Sequence, residues 1–518
     1  MDVVSAQNLA LALNNAARYI EVKKELINEL NVFPVPDGDT GTNMSMTVKS
    51  AVSQMNGASY ETIGEVAKVA ARGALMGARG NSGVILSQLF RGFADGLKEV
   101  EAATISDLAV AFKRASEMTY SAVMKPTEGT ILTVGRETSD YAIRVAKKHS
   151  KVVTFLEDVL QQAKKSLDNT PKLLPVLREA GVVDAGGMGL VVLLEGALLT
   201  AQGKTLEEVS QGQDQSAKVY DYSLTATLVG DREGALAAVE DLEGRVSVEA
   251  ASRGQKLTIE SDALGAYFDL LLPLVGLEDI EITANNQAPQ GESPQVAVEE
   301  KPLGVVAVTN GPGLEEIFKE LGVDEIVTGG QTMNPPTEEL LKAMDRVPSQ
   351  NIIILPNNGN IKMTALAAQD VSKKNVVVLN TKTMPEGIQA VLHLQPEASL
   401  EENEATMTQA IGEVNTGQIT YAVRDTTLGG KNIEKGDFIG INKKEIKSCG
   451  KKLPQVVREL IDEMKDENTT FVTLYRGEEV SQEEGDALLE SLEGEFSDID
   501  FEMVYGGQPT YFYLVSVE

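Results

Sequence analysis

The spacing of apolar residues changes twice along the 518 residues of the chain, and each change marks a different kind of folding unit. From residue 1 to about residue 203, Ala and Leu recur every three or four positions in long runs that Gly, Pro or Asn interrupt. This spacing predicts helices. The predicted helices are residues 5–30, 44–55, 60–75, 82–100, 106–123, 129–149, 151–167 and 188–201. Eight helices without a strand predict an all-α bundle or barrel over residues 1–203.

After residue 212 the pattern changes to short alternating stretches with helical stretches between them. Strands are predicted at residues 222–229, 245–251, 256–260 and 279–284, and helices at residues 232–242 and 263–274. The order βαββαβ is that of the ferredoxin-like α+β sandwich. We therefore expect a middle domain at residues 213–285, followed by a flexible linker at residues 286–301, where Gln, Pro, Glu and Ser dominate.

From residue 302 to residue 518, β-branched strands alternate with helices, which predicts parallel α/β structure. The first unit has predicted strands at 304–309, 325–328, 351–355 and 375–379 and helices at 314–321, 337–344 and 361–369. A strand-rich insert at 417–446 then precedes a second unit with helices at 454–464 and 482–492 and strands at 470–475, 500–505 and 510–517. The acidic run Glu401, Glu402 and Glu404 predicts a solvated loop.

Charge and composition exclude several kinds of partner and site. The chain has 46 Lys and Arg residues against 77 Asp and Glu residues, and its net charge of −31 disfavours nucleic acid and anionic membranes as partners. With one cysteine and two histidines it cannot build a Cys-rich or His-rich metal site, whereas carboxylates can still bind hard cations. The N-terminus has no basic segment before an apolar stretch, and no window approaches about 18 uncharged apolar residues. We therefore expect a cytoplasmic protein that is not integral to a membrane.

The most informative stretch, residues 28–46, reads N-E-L-N-V-F-P-V-P-D-G-D-T-G-T-N-M-S-M. Its two prolines hold the chain extended after the first helix. Asp37 and Asp39 follow, separated by Gly38. Two carboxylates this close repel each other unless a cation lies between them, and Mg²⁺ takes one or two protein carboxylates together with nucleotide phosphates. An Asp-Gly turn before a capped helix uses the same residue types and remains the alternative.

Polar side chains continue this motif into the start of the next helix. Thr40, Thr42 and Asn43 offer hydroxyl and amide groups there, beside backbone N–H groups that favour anions. Asn31, shortly upstream, is a candidate for a further oxygen ligand. The stretch therefore combines groups that suit a cation with groups that suit a phosphate.

A second glycine-rich stretch opens the fourth predicted helix. Residues 77–83 read G-A-R-G-N-S-G. Gly80 and Gly83 permit close backbone approach, and Asn81 and Ser82 can cap the helix while leaving N–H groups for phosphate oxygens. The alternative is a helix cap without a ligand.

A third stretch, residues 183–189, reads V-D-A-G-G-M-G and again places an acidic residue, Asp184, with glycines at a helix start. A tight interhelical turn is its alternative. No G-x-x-x-x-G-K-[ST] pattern occurs, so a P-loop is not supported. Together, paired Asp residues and glycine-bounded helix starts predict a different kind of nucleotide site, at the rim of a helical domain.

The first two motifs resemble those of a known family. N-V-F-P-V-P-D-G-D-T-G-T-N-M with G-A-R-G-N-S-G is similar to the ATP-binding domain of the dihydroxyacetone kinase group, in the branch represented by the bacterial fatty acid kinase ATP-binding subunit. The resemblance covers about residues 1–203 and implies an eight-helix barrel with ATP and two Mg²⁺ ions at its mouth. It implies that Asp37 and Asp39 are catalytic metal ligands, with Asn31 where dihydroxyacetone kinases have a third Asp. The residues assigned to the nucleotide are Gly38, Thr40, Gly41, Thr42, Asn43, Gly80, Asn81, Ser82 and Gly83, with Asp184 and Gly186 near the nucleoside.

The C-terminal stretch, residues 302–518, resembles the same subunit. The matching motifs are G-G-Q-T-M-N-P at residues 329–335, L-P-N-N at 355–358 and V-Y-G-G-Q-P at 504–509. In the family this part is related to the DegV-type lipid-binding fold and docks the separate fatty-acid-binding subunit. The middle domain carries no matching motif, and we expect it to support pairing into a homodimer.

The resemblance implies that the chain uses ATP to phosphorylate a fatty acid carboxylate held by the partner subunit, giving an acyl phosphate for phospholipid synthesis. A carboxylate is already ionised at pH 7, because carboxyl pKa values lie near ~4 to 5, and it needs no general base. The lack of a histidine near the proposed site fits such an acceptor. Two alternatives remain: a small-molecule kinase of the dihydroxyacetone type, and a non-catalytic sensor of nucleotide or lipid.

Overall fold

The computed structural model of the protein forms two compact units, Met1–Val209 with Glu299–Glu518, and Ser210–Val298. The described residues are 3–33, 38–55, 59–123, 125–204, 222–230, 245–251, 254–261, 265, 267, 271, 275–284, 301–330, 334–422, 426–428, 431–443 and 445–518. The first unit contains a helical domain (residues 3–204) and a C-terminal domain (residues 301–518). The second unit contains the middle domain (residues 222–284).

The described part of the helical domain has nine α-helices. They are α1 (Ala6–Glu29), α2 (Thr40–Ser53), α3 (Ile63–Met76), α4 (Gly80–Gly96), α5 (Ile105–Ala122), α6 (Ile131–Val145), α7 (Val152–Leu173), α8 (Pro175–Ala180) and α9 (Ala185–Ala201). Several begin at a side chain that accepts a hydrogen bond from a backbone N–H of the first turn. These N-caps are Ser5, Thr62, Thr104, Thr130 and Asp184. Such caps stabilise a helix by about 1 kcal/mol and define where it starts.

Helices α1 to α7 pack in succession, α7 packs on α9, and α9 packs on α1, so the contacts close on themselves. Ile20, Ile27, Met44 and Leu86 form part of the core between these helices and are almost wholly buried. Full burial of one such side chain stabilises the fold by about 1.5–3 kcal/mol. All eight predicted helices are present, while their arrangement as a barrel remains a prediction.

The structure differs from the predicted helices in two places. Helix α2 begins at Thr40, four residues earlier than predicted, so that the polar motif forms its first turn. Helix α7 continues through Pro171, and the short α8, which the sequence did not predict, follows it. Pro171 has no N–H for the carbonyl of Leu167, but the hydroxyl of Thr170 donates to that carbonyl at 2.7 Å. The helix therefore continues past its proline.

The middle domain contains the four predicted strands, β1 (Tyr222–Gly230), β2 (Arg245–Ala251), β3 (Gly254–Ser261) and β4 (Val275–Ala284). They form one sheet of order β2-β3-β1-β4 with antiparallel neighbours. Strand β3 lies between β1 and β2 and pairs antiparallel with both, so β1 and β2 run parallel to each other. The sheet of the predicted ferredoxin-like sandwich has the same arrangement. The predicted helix at 232–242, most of that at 263–274, and nearly all of the linker lie outside the described residues. The complete ferredoxin-like sandwich therefore remains a prediction.

The C-terminal domain begins with a parallel sheet, as predicted, and its strand order is β6-β5-β7-β8. Its strands are β5 (Gly304–Thr309), β6 (Glu325–Thr328), β7 (Asn351–Leu355) and β8 (Asn375–Val378). Its helices are α10 (Pro312–Glu320), α11 (Thr337–Arg346), α12 (Lys362–Val371), α13 (Met384–Leu392) and α14 (Leu400–Glu413). The predicted loop at Glu401, Glu402 and Glu404 is wrong. These residues lie in α14, because Ser399 and Glu402 form a capping box that starts a helix there.

A second, mixed sheet of order β13-β12-β9-β16-β14-β15 completes the C-terminal domain. Its strands are β9 (Asn415–Tyr421), β12 (Phe438–Asn442), β13 (Glu445–Gly450), β14 (Phe471–Arg476), β15 (Asp500–Tyr505) and β16 (Tyr513–Val517). The hairpin β10 (Thr426–Leu428) and β11 (Lys431–Ile433) and the helices α15 (Leu453–Met464) and α16 (Gln482–Glu495) belong to this half. The predicted insert is not separate from the second unit, because β9 pairs with β16. None of the described helices has the length and apolar composition needed to cross a bilayer.

Candidate functional site

Asp39 occupies the N-cap position of α2, but its side chain does not cap the helix. Asp is among the strongest N-cap residues, because its carboxylate accepts N–H bonds from the first turn. Asp184 makes such a bond at α9, to the N–H of Gly187 over 2.7 Å. At α2, by contrast, the backbone carbonyl of Asp39 accepts from the N–H of Asn43 at 2.9 Å while the carboxylate makes no capping bond. The Asp39 carboxylate therefore does not make the helix cap of the alternative, whereas the turn of that alternative begins at Asp37, outside the described residues.

The Asp39 carboxylate bonds to a residue from the far end of the chain. Nδ2 of Asn334 donates to Oδ2 of Asp39 over 2.6 Å and lies 3.5 Å from Oδ1 of Asn43. Asn334 and Asn43 are 3% and 5% exposed. The other end of the Asn334 amide, its Oδ1, is buried and has no hydrogen-bond partner among the described residues. Asp39, Asn43 and Asn334 thus form a polar group at the start of α2, called below the Asp39 cluster.

The start of α4 meets the same cluster. Gly80, the first residue of α4, has a φ of +57°, and a Cβ there would lie 2.7 Å from Nδ2 of Asn43 and 3.2 Å from Nδ2 of Asn334. A Cβ at Gly83 would lie 2.5 Å from Oγ1 of Thr47 in α2. Glycine is therefore required for this close approach. The N-termini of two helices converge on the Asp39 cluster, and their dipoles favour an anion there.

Two other residues of the first motif have structural partners. Asn28 in α1 donates through Nδ2 to Oγ1 of Thr42 and accepts through Oδ1 from the N–H of Thr42, both over 3.1 Å. A Cβ at Gly41 would lie 2.1 Å from the carbonyl oxygen of Lys24, so this glycine lets α1 and α2 pack closely. Thr42 and Gly41 hold the first turn of α2 in place, and their contact with phosphate remains a prediction.

The loop before α4 also contacts the C-terminal domain. Nη1 of Arg79 donates to the carbonyl of Asn334 over 3.3 Å, and the N–H of Thr337 donates to the carbonyl of Ala78 over 3.2 Å. Burial lowers the pKa of Arg79, although Glu339 opposes this shift. These bonds hold the backbone of Asn334 and the start of α11 against the segment before α4.

Asn81 of G-A-R-G-N-S-G lies at the same contact. Nδ2 of Asn81 donates to Oδ1 of Asn360 over 3.0 Å. Ser82 is partly exposed and Gly83 is buried. The side chain of Asn81 therefore joins the two domains, while the predicted role of this stretch at phosphate is untested by these contacts.

Asp184 lies at a different junction, where α9 begins beside α6 and α7. Its carboxylate caps α9, and its N–H donates to the hydroxyl of Thr170 over 3.1 Å. Burial raises the pKa of Asp184 to about 6, although N–H bonds from Gly187 and Ile131 oppose the shift. A Cβ at Gly186 would lie 3.2 Å from Cβ of Ile131, so this glycine serves the packing of α9. These contacts lie within the helical domain, and a position of Asp184 and Gly186 near a nucleoside stays a prediction.

The second predicted metal ligand, Asp37, lies outside the described residues, so its pairing with Asp39 rests on the sequence. Gly38 is described and has a φ of +68°. Asn31 and Thr40 are both buried, just after α1 and at the start of α2. Within the described ranges, no three His, Cys, Asp or Glu side chains gather as metal ligands.

The sequence did not assign Asn334 to the site. Asn334 belongs to G-G-Q-T-M-N-P, which the resemblance marked without giving any residue a role, and residues 331–333 of this stretch lie outside the described part. Its contact with Asp39 spans 295 positions of the chain. Nothing in the local pattern around either residue indicates such a contact.

The donor atoms of the Asp39 cluster fit a hard cation such as Mg²⁺. Asp39 supplies a carboxylate, and Asn334 supplies a buried amide oxygen that lacks a partner among the described residues. Oxygen donors of this kind are those that Mg²⁺ prefers. A buried acceptor left without a partner costs about 1–3 kcal/mol, so a cation or its bound water would stabilise it.

Comparison with known families and proteins gives two matching domains. Residues 304–518 match the C-terminal domain family of FakA-like fatty acid kinase subunits, and residues 34–199 match the DAK2 domain. Protein YloV of Bacillus subtilis is 35% identical to this chain over an alignment 541 residues long, which covers 97% of each chain. Uncharacterized proteins of Staphylococcus haemolyticus and Staphylococcus aureus are 34% and 35% identical, over 100% of this chain and 98% of theirs.

Among solved structures, the DegV family protein Cg2579 from Corynebacterium glutamicum is 13% identical and covers 42% of this chain and 96% of that chain, with a TM-score of 0.32. The fatty acid kinase B3 protein of Streptococcus pneumoniae, loaded with linoleic acid, is 10% identical and covers 42% of this chain and 99% of that chain, with a TM-score of 0.29. TM-scores this low establish no shared fold, and the DegV-like character of the C-terminal domain remains a prediction.

Proposed function

Because the chain belongs to the FakA-like fatty acid kinase family, we propose that it transfers the γ-phosphate of ATP to the carboxylate of a fatty acid. The product is an acyl phosphate for phospholipid synthesis. A separate fatty-acid-binding subunit of the DegV type presents the acid, and the transfer requires Mg²⁺. One observation carries this proposal: the N-termini of α2 and α4 meet at the Asp39 cluster, and the Asp39 carboxylate does not cap its own helix.

The phosphates would lie over these two helix starts. The first turn of a helix carries a partial positive charge equivalent to roughly half an elementary charge, and two such turns meet here. Arg79, immediately before α4, adds a full positive charge at the edge of the same region. The chain as a whole has a net charge of −31, so this local positive charge is what can hold a polyanion against the overall field.

Asp39 would hold the cation, with Asp37 and Asn31 as its further predicted ligands. When bound, Mg²⁺ neutralises charge on the phosphoryl group that is transferred. The chain's own contribution is to hold the first turn of α2, which follows this carboxylate, in place. Asn28 and Thr42 fix the turn of α2 that follows.

The chemistry needs no general base. A carboxylate oxygen of the fatty acid attacks the γ-phosphorus, the bond to the bridging oxygen breaks, and its electron pair leaves with ADP. No proton moves. Both histidines of the chain are engaged in local contacts: Nε2 of His149 lies 3.1 Å from Oδ2 of Asp158, and Nδ1 of His393 lies 3.0 Å from the carbonyl oxygen of Gln389.

The cleft between the two sheets of the C-terminal domain is too small for the acyl chain. It has a volume of about 40 Å³ and is lined by polar groups that include Asn357, Thr383 and Gln508. Pockets that enclose small ligands have volumes of about 300–1,000 Å³, so this cleft cannot enclose a long acyl chain. Delivery of the acid by another protein explains how a poorly soluble chain reaches the site.

An ATP-turnover assay with the full-length chain and Mg²⁺ distinguishes the three functions. We expect ADP to form with oleate and a DegV-type fatty-acid-binding protein together. ADP formation with dihydroxyacetone alone would indicate the small-molecule kinase. Nucleotide binding without turnover on either acceptor would indicate the sensor.

A pair of isosteric variants tests the site itself. Asp39→Asn removes the charge of the proposed cation ligand, and we expect kcat to fall by about 100-fold or more. The control is Asp95→Asn, because Asp95 is exposed in the last turn of α4, at its other end. Normal turnover by Asp39→Asn would contradict the site assignment.

A further inference from the structure

Asn334 has a contact that its own domain does not explain. The C-terminal domain carries it to the start of α2, where its Nδ2 donates to Oδ2 of Asp39 over 2.6 Å. The contact is direct and 97% of the surface of Asn334 is covered, since the residue is 3% exposed. A surface asparagine that merely touched a neighbouring domain would keep more of its amide in water.

The second atom of this amide points to a ligand. Oδ1 of Asn334 is buried and lacks a hydrogen-bond partner among the described residues. Buried polar atoms in folded proteins almost always have a partner. An acceptor oxygen on the same amide that holds Asp39 is placed to meet a cation, or the water bound to one, at that carboxylate.

Contacts between the two domains hold the backbone at Asn334 in place. Its backbone carbonyl accepts from Nη1 of Arg79, and Thr337, three residues on, donates its N–H to the carbonyl of Ala78. Below these bonds Met363 packs with an apolar cluster of Ala78, Val84 and Ala367 from both domains. The C-terminal domain therefore holds Asn334 in place through contacts that do not involve Asp39.

We propose that Asn334 is a positioning residue of the nucleotide site, which the C-terminal domain completes within the same chain. Its amide N–H orients the Asp39 carboxylate, and its amide oxygen faces the cation. This inference rests on the proposed function. Carboxylates that bind metals are commonly held by such outer hydrogen bonds, and the loss of one lowers metal affinity about 10- to 100-fold.

The chemistry of the contact favours completion of the site over its blockage. A segment that blocked the site would place a cation of its own, Lys or Arg, on Asp39. Asn334 is neutral, and one N–H bond leaves a carboxylate its charge and further lone pairs. A neutral donor therefore leaves the attraction of Asp39 for a metal ion in place.

The test is a titration of the full-length chain with Mn²⁺ in the presence of ADP, following the free ion by electron paramagnetic resonance. We expect Asn334→Ala to bind Mn²⁺ about 10- to 100-fold more weakly than the wild type. Met363→Ala is the control, because it trims apolar packing at the same contact and leaves both backbone hydrogen bonds and every polar atom of the Asp39 cluster in place. We expect its affinity to stay within about twofold of the wild type.

Asn334→Asp keeps an oxygen at the position of Oδ1, and we expect it to bind Mn²⁺ more tightly than Asn334→Ala does. Three results would overturn the inference: unchanged affinity in Asn334→Ala, tighter binding in Asn334→Ala as expected of a blocked site, or equal weakening in Met363→Ala. If the wild type binds neither Mn²⁺ nor ADP, the proposed function fails as well. If the wild type binds both Mn²⁺ and ADP and Asn334→Ala has the same Mn²⁺ affinity, only the inference about Asn334 fails.

Discussion

Asp184 combines a buried position with a capping role, and its titration follows from that combination. Burial raises the pKa of its carboxyl from 3.8 to about 6 in the folded chain. A raised carboxyl pKa means that the folded state binds the proton more tightly than the unfolded state does. The stability due to this group is therefore complete below about pH 4 and is lost as the pH rises through 6.

The predicted size of this effect follows from the shift. The pKa of Asp184 rises from 3.8 to about 6, and each pKa unit corresponds to 1.36 kcal/mol. The free energy of unfolding therefore loses about 3 kcal/mol of the contribution of this group between about pH 4 and pH 7. Asp184→Asn keeps an acceptor for the N–H of Gly187 but does not titrate. We expect urea unfolding to show the variant gaining about 1 kcal/mol on the wild type between pH 5 and pH 7.5. An equal difference at both pH values would contradict the buried, raised carboxyl.

Alanine substitutions at Gly80 and Gly181 distinguish the effect of backbone strain from the effect of a contact with the Asp39 cluster. Both have positive φ values, +57° and +69°, but a Cβ at Gly181 would meet nothing within 4 Å, whereas one at Gly80 would press on Asn43 and Asn334. We expect Gly181→Ala to lower the free energy of unfolding by about 1 kcal/mol through strain. Gly80→Ala should lower it by at least about 1 kcal/mol more and also weaken ADP binding. Equal effects of the two substitutions on ADP binding would show that the Asp39 cluster does not face the nucleotide.

The sequence predicted the residue types of the site better than their partners. Asp39, Asn43 and Gly80 were each assigned from their motifs, and the structure brings them together. Thr42 was assigned to phosphate, but the amide that engages it, Asn28, lies in a helix whose pattern shows only ordinary polarity. Local patterns state which chemistry a residue offers, whereas its partner depends on packing.

Helix α7 depends on one hydroxyl group to continue through its proline. Oγ1 of Thr170 donates to the carbonyl of Leu167, which Pro171 cannot reach with an N–H, and accepts from the N–H of Asp184. Thr170→Val leaves both buried groups without a partner, and we expect the free energy of unfolding to fall by about 2 kcal/mol or more. Urea unfolding followed by circular dichroism measures this loss.

The matched control is Thr406→Val in α14. Its exposed hydroxyl donates to the carbonyl of Glu402, and water can replace it there. We expect a change of no more than about 0.5 kcal/mol. If the two valine variants lost the same stability, the bridging role of Thr170 would be wrong.

The sequence predicts helices and strands correctly where burial of one face of the element sets the spacing of its apolar residues. The spacing of Ala and Leu located all eight long helices of the helical domain, and β-branched runs located β5 to β8. The sequence missed α8 because Pro171 and Pro175 together predict an irregular stretch. It also separated β9 from the last strand, because a pairing across about a hundred positions leaves no trace in either strand.

Within the first unit, the contact between the helical and C-terminal domains joins the Asp39 cluster to the C-terminal domain. If Asn334 completes the nucleotide site, bound Mg²⁺ and ADP must also hold the segment that carries it. We expect amide hydrogen exchange in residues 334–346 to slow when Mg²⁺ and ADP are added, because Thr337 donates its N–H across the contact. Helix α15, at Leu453–Met464, serves as the internal control and should be unaffected.

This long-range arrangement could not have been predicted from the chain. The motif resemblance divides the sequence into a nucleotide-binding part and a docking part, and it implies that every metal ligand lies in the first. The structure places Asn334 of the second part against Asp39 of the first. Equal slowing of exchange in both helices, or none in residues 334–346, would contradict the coupling.

The position of the cation tests the central claim most directly. Crystals of the full-length chain, soaked with Mn²⁺ and a non-hydrolysable ATP analogue, give an anomalous-difference map that locates the metal. We predict a peak about 2.1 Å from a carboxylate oxygen of Asp39, with the phosphates over the starts of α2 and α4. A nucleotide bound elsewhere, with no metal at Asp39, would contradict the account.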